Sequence, residues 1–228
     1  MDTTRVHRPV PVVADQRVFG EVVAMALEGR GVPATVEPWR AGLADPVPHD
    51  PGRVGALLVA ADDALALAGA VAFVGRSTSR WLVVTTGPPG PRWGALLHAG
   101  ACEVEDTTAD VDRLVEAVRG VMVGAGSRHL ATVGAFRRWA VESPSSAVLL
   151  ERLARLDWHE RHTLRALLES RSDADVAALV ALAAGPDPAD RPAVFETLLR
   201  TLGVTTTTAA VAAVRRLEHS WAGPTRHG

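Results

Sequence analysis

The chain has 228 residues, 47% of them hydrophobic, and a formal net charge of −2. That size and apolar content allow one large domain or two small ones, and the near-neutral balance excludes a generally basic nucleic-acid binder, so any DNA contact must come from a local patch. All 24 basic residues are arginine, tyrosine is absent, and Cys102 is the single cysteine, which excludes an intrachain disulfide framework and a cysteine-based zinc site and fits a reduced, cytoplasmic setting. Prolines interrupt the opening MDTTRVHRPVPVVAD, unlike a signal peptide. No apolar run reaches the roughly 18 residues of a bilayer span, so no membrane partner is expected.

The first half alternates two kinds of segment. VPVVA (10–14) is a short apolar run, predicted as a buried strand. Residues 17–29 have helical period, with Phe19, Val22, Val23, Ala26 and Leu27 on one face and Gly29 as stop signal. VPATVEP (32–38) is strand-like, 40–53 is rich in Pro, Asp and Gly and reads as loop, and VGALLVA (54–60) is the next strand. A helical run from Asp62 to Val74 precedes WLVVTT (81–86), the cleanest strand. A rigid GPPGP loop, a short helix to His98, a weak strand at ACEV (101–104) and a helix over 108–123 with Thr108 as N-cap follow. Apolar strands alternating with helices imply a parallel sheet covered on both faces, a flavodoxin-like (βα)5 domain over 1–123.

Residues 124–146 hold the linker-like GAGS and SPSS around a possible helix at 129–141. From 147 to 228 every segment has helical period and no strand is evident. The shift marks a second, small all-α domain.

Two stretches of that second domain carry a resemblance. LDWHERHTLRALLESRSDADVAALV (156–180) is similar to the opening of a LuxR/NarL-type helix-turn-helix, through Leu156, Glu160, Arg161, Leu164, Leu167, Ser172, Val176 and Ala177. LLRTLGVTTTTAAVAAVRRL (198–217) resembles its close, through Leu202, Gly203, Val204, Thr208, Ala210 and Val211. The chemistry of the corner agrees. Gly203 can take the left-handed conformation that ends a helix, Thr206 or Thr207 can cap the next, and Val204 is the apolar contact between them.

An α/β domain before such a headpiece resembles a two-domain response regulator, with VVADQRVFGEVVAMAL (12–27) similar to the first strand and helix of a receiver. The resemblance implies five polar groups that bind Mg²⁺, accept the phosphoryl group and sense its charge. Several are missing. The acid pair falls on Ala14 and Asp15, and the phosphoacceptor position on Val59 or Ala60. Asp62 and Asp63 lie beyond it, where they suit the cap and first turn of a helix. Thr85 matches the hydroxyl after the fourth strand, and Thr107 stands where the lysine belongs. The residual pocket is therefore Asp15, Asp62, Thr85 and Thr107, and the expectation is a pseudo-receiver with no phosphoacceptor, catalytic residue, metal or cofactor.

In the resembled family the third helix of the motif enters the major groove. Here that helix spans about 188–202, with Pro188 or Pro192 in its first turn. The candidate DNA contacts are Arg191, Thr197 and Arg200, with Arg215 and Arg216 beyond the corner. Asp187, Asp190 and Glu196 oppose phosphate binding, the family's basic position in the second helix falls on Ala174, and AAGPDPAD looks about four residues longer than usual. His159 and His162 share one helix side but read as solvated polarity rather than as a metal pair. Cys102 reads as a buried small hydrophobe in a strand, and Trp139 and Trp158 as packing between the domains. The leading expectation is a homodimeric, phosphorylation-independent DNA-binding regulator. The alternatives are an interaction module that heterodimerises with another regulator without reading DNA, and a ligand-sensing α/β domain that takes a small molecule.

Overall fold

The computed structural model describes residues 8–39, 53–59, 63–86, 89–124, 133–137, 139, 144–170 and 191–221. The first half contains strands β1 (Val10–Ala14), β2 (Ala34–Pro38), β3 (Val54–Val59), β4 (Arg80–Thr85) and β5 (Glu103–Asp106). Its helices are α1 (Arg17–Glu28), α2 (Ala64–Arg76), α3 (Pro91–His98) and α4 (Val111–Val123). After a helical stretch at 133–137 come α5 (Pro144–Arg155), α6 (Trp158–Glu169), α7 (Arg191–Leu202) and α8 (Thr207–Trp221).

All strand pairs are parallel, in the order β2-β1-β3-β4-β5. This is the flavodoxin-like doubly wound order. Side chains alternate across the sheet. Val13, Leu57, Val59, Trp81 and Val83 face the core beneath α2 and α3, while Val12, Ala56, Leu58, Leu82 and Val84 face the core beneath α1 and α4. Such two-sided burial is why these strands are apolar throughout. Gly55 pairs with Trp81, and a Cβ at Gly55 would strike the indole, so the glycine makes room for the ring.

Several boundaries differ from the sequence reading. The fifth strand begins at Glu103, two residues after the expected start, so Cys102 precedes it and is half-buried. The fourth helix starts at Val111, because Asp110 and not Thr108 caps it, accepting from the Arg113 N–H at 2.7 Å. Thr108 is held in the preceding turn by Asp106 Oδ1. On α1 the buried residues are Gly20, Val23, Ala24 and Leu27, and Val22 is exposed. Gly20 lies against Ala14 and Val36, so this close backbone approach, not the bulkiest residues, sets which side of the helix meets the sheet. The loop at 40–52, Ala60, Asp62 and the expected second helix of the motif at 171–190 lie outside the described residues.

The helical half is held together as its sequence suggests. Asp157 and Glu160 form a capping box at the start of α6. Gly203 sits at φ +68, with its N–H on Arg200 O and the Val204 N–H on Leu199 O, a Schellman turn. Thr206 Oγ1 accepts from the Ala209 N–H and starts α8. Ala210, Val214, Leu217 and Trp221 then form the buried stripe of α8.

The helices do not stand apart from the sheet. One continuous core joins Leu57, Leu67 and Trp81 to Leu150, Leu153, Leu164, Leu202 and Trp221. Helix α2 is apolar nearly all round because it is covered twice, by the sheet on one side and by α5 on the other. Trp139 is buried on α3, where Gly94 leaves space for it. Trp158 is not packing of this kind, since it is 55% exposed.

Candidate functional site

The first β-strand and its neighbour β3 form the point where strand order reverses, the usual ligand position of an open α/β sheet. Asp15 follows β1 and is exposed, with its backbone N–H on Leu58 O. Val59 ends β3 and is buried, leaving no carboxylate at that position. Thr85 is fully buried at the end of β4, and its hydroxyl finds no hydrogen-bond partner among the described residues. Thr107 is half-buried and donates its N–H to Thr85 O. Only Asp15 and Val59 of this group line the cavity at the switch point, which Thr85 and Thr107 do not reach.

That cavity has a volume of about 290 Å³, opens to solvent and is flanked on one side by α6. Asp15, Trp39, Val59, Asp63 and Leu65 come from the α/β half, and Trp158, Arg161, His162 and Arg165 from the helical half. Asp63 is the N-cap of α2. One oxygen accepts from the Leu65 N–H at 2.7 Å, and the other is ion-paired with Arg165 at 2.7 Å. Glu218 of α8 accepts from the Ala64 N–H at 3.2 Å, so both halves supply caps to the same helix end. Arg161 donates to Leu156 O at 2.9 Å, to Ala154 O at 3.0 Å and to Leu65 O at 3.4 Å. Burial holds its pKa below the usual arginine range. Repulsion from Arg76 and Arg165 adds to this, and Asp63 and Glu160 oppose it.

Sequence reasoning missed Trp39, Arg165 and Glu218 and the role of Arg161. One signal was present: the all-round apolar character of residues 64–74 requires a second covering element. Two buried acids on β5 were also missed. Glu105 is held by a forked pair of bonds from Arg113, whose pKa is raised first by that hydrogen bond and then by the charge of Glu105. Among the described residues no cluster of His, Cys, Asp and Glu could hold a metal ion. His162 instead stacks on Trp158, centroids 5.4 Å apart and planes 5° from parallel.

On α7, Glu196, Thr197 and Arg200 are exposed while Leu198 and Leu202 are buried. Glu196 and Arg200 are four residues apart, hence on one side of the helix. Arg191 opens α7, and its side chain lies outside the described residues. Arg215 and Arg216 are exposed on α8, and Arg215 donates back to Leu168 O at the end of α6. Among the described residues no single helix is long and apolar enough to cross a membrane, although the bent pair Val194–Leu202 and Thr207–Trp221 passes by length and composition together.

No family model matches the chain, and no curated protein matches it. Its structural neighbours are two-component response regulators. The Salmonella typhimurium RcsB response regulator, studied for conformational dynamism in DNA interaction, is 13% identical, with 92% of this chain and 100% of that chain covered and a TM-score of 0.45. ChrA, the response regulator of a heme-sensing two-component system, is 21% identical over 92% and 98%, with a TM-score of 0.40. Full-length FixJ from B. japonicum is 16% identical over 94% and 99%, also at 0.40.

Proposed function

We propose that the chain is a DNA-binding transcriptional regulator of response-regulator type that is not controlled by aspartyl phosphorylation. In this reading residues 1–123 are a pseudo-receiver, 124–146 a linker that contains a helix and runs into the start of α5, and 147–228 a cytoplasmic helix-turn-helix headpiece acting as a homodimer. The observation that carries DNA reading is α7. Its apolar side is locked into the core by Leu198 and Leu202, its end is fixed by the Gly203 turn, and it leaves Thr197 and Arg200 outward. A rigid helix with an outward hydroxyl and guanidinium suits groove contact. The independence from phosphorylation is supported by Val59 at the end of β3 and by Asp63, whose carboxylate is committed to a helix cap and to Arg165.

A second reading has a specific observation in its favour. Glu196 shares the exposed side of α7 with Arg200, and an acid facing phosphate weakens binding. That favours an interaction module that pairs with another regulator. Genome-wide DNA capture with the purified protein, at two salt concentrations and with or without acetyl phosphate, decides between them. The expected result is a discrete set of sites, unchanged by acetyl phosphate and depleted for Arg200→Ala. Capture at background level would replace DNA binding by the interaction reading, and a dependence on acetyl phosphate would overturn the pseudo-receiver.

A further inference from the structure

The cavity at the sheet's switch point has the features of a built small-molecule site. Its volume of about 290 Å³ falls just below the usual range of drug-sized ligand pockets, roughly 300–1,000 Å³, and so suits only a small ligand. Its inner wall is apolar, from Val59, Leu65 and Ala66, and two indoles flank it. Trp39 is half-buried and stacks on Phe73 at 6.3 Å. Trp158 is 55% exposed, although it opens a helix packed into the core. His162 holds that indole by parallel stacking. Open aromatic area fixed by a stacking partner at the edge of an apolar hollow favours a planar ring.

The charges of the wall select a second feature. Asp63 is neutralised, by Arg165 and by the N-terminus of α2. Asp15 is exposed, at the end of β1. Arg161 differs from both. Among the described residues its three hydrogen bonds all go to carbonyl oxygens, and none to a carboxylate. A guanidinium carries five N–H donors, so two remain for another acceptor. Burial and two neighbouring arginines penalise its charge by more than Asp63 and Glu160 offset, and an anion would relieve the remainder. The guanidinium fork matches a carboxylate.

We propose that this cavity binds a small aromatic carboxylate, its ring lying between Trp39 and Trp158 and its carboxylate on Arg161. Because the walls come from both halves of the chain, an occupant touches the α/β half and α6 together. A ligand that binds only this docked arrangement stabilises it. The site is thus an effector site, and it stands whether or not the headpiece reads DNA.

The test is calorimetric titration of the intact protein, without DNA, with benzoate, 1-naphthoate and indole-3-acetate and with the neutral amide of each. At least one carboxylate is expected to bind with a Kd below about 1 mM, and its amide at least about tenfold more weakly. Trp158→Ala and His162→Ala, both at the rim, are expected to weaken that carboxylate about tenfold while the melting temperature of the free protein stays unchanged. Absence of binding by all three carboxylates at about 5 mM would overturn the proposal. Equal binding of acid and amide would remove Arg161 from it, and undiminished binding to both variants would place the ligand elsewhere. If Trp158→Ala alters the fold, His162→Ala alone decides the location.

Discussion

Gly203 is the residue on which the helical half turns. Its φ of +68 is in the left-handed region, and a Cβ there would also strike the Arg152 guanidinium, which donates to Leu202 O at 2.7 Å. Both effects act against any side chain, so Gly203→Ala is expected to cost about 1–3 kcal/mol in denaturant unfolding. A loss below about 0.5 kcal/mol would show that the corner adjusts freely. Thr85 poses the opposite case. Its hydroxyl is buried without a partner among the described residues, and an unsatisfied buried hydroxyl costs free energy that an isosteric methyl does not. Thr85→Val is therefore expected to stabilise by about 1 kcal/mol, and a measured loss would mean that the hydroxyl has a bonding role.

At the scale of the element, α2 explains how the two halves meet. Its sequence ALALAGAVAFVGR has no polar side before the final arginine. Such a helix cannot face water on either side without exposing a large apolar area. Its first turn still has N–H groups to satisfy, and Asp63 and Glu218, from the two halves of the chain, do so. Asp63→Ala removes a cap and the Arg165 pair together. The cap is worth about 1 kcal/mol. The ion pair, whose side chains are 53% and 39% exposed, adds at most about 0.5 kcal/mol after solvent screening. A double-mutant cycle with Arg165→Met isolates that second contribution, and a coupling near zero would mean the pair has no energetic role. Glu218→Ala should cost about 1 kcal/mol by the same capping argument, although its residue lies 154 positions from the N–H it serves.

For the whole molecule, the continuous core under α2 and α3 predicts shared stability. Leu57 and Trp81 of the sheet belong to the same buried cluster as Leu153, Leu164 and Trp221 of the helices. Arg92 of α3 also lies over the Trp221 ring, 5.9 Å from its centroid. Loss of one half strips cover from the other, so unfolding is expected as one calorimetric transition with matching van't Hoff and calorimetric enthalpies. Two resolved transitions would show that the halves are energetically separate. An aromatic carboxylate in the shared cavity should raise that single transition with concentration.

Local chemistry determined much of this in the sequence itself. Apolar runs at 10–14, 54–59 and 81–85 are strands because a parallel sheet is buried on both faces. Gly203 and Thr206 place a turn and a cap because few residue types satisfy those backbone requirements. The absence of lysine and the lack of an acid at both Val59 and Ala60 are also facts of sequence alone. Where two requirements competed locally the reading failed. Asp110 displaced Thr108 as cap, and Gly20 set the buried side of α1 against Val22. Of the cavity, only the Asp15 and Val59 wall was legible. Trp39, Asp63, Arg161 and Arg165 of its lining, and Glu218 at the adjoining end of α2, are distant in the chain, and no periodicity records which helix end will meet which loop. Only the packing of α5, α6 and α8 onto α2 brings them together, because that apolar helix had to be covered from both sides.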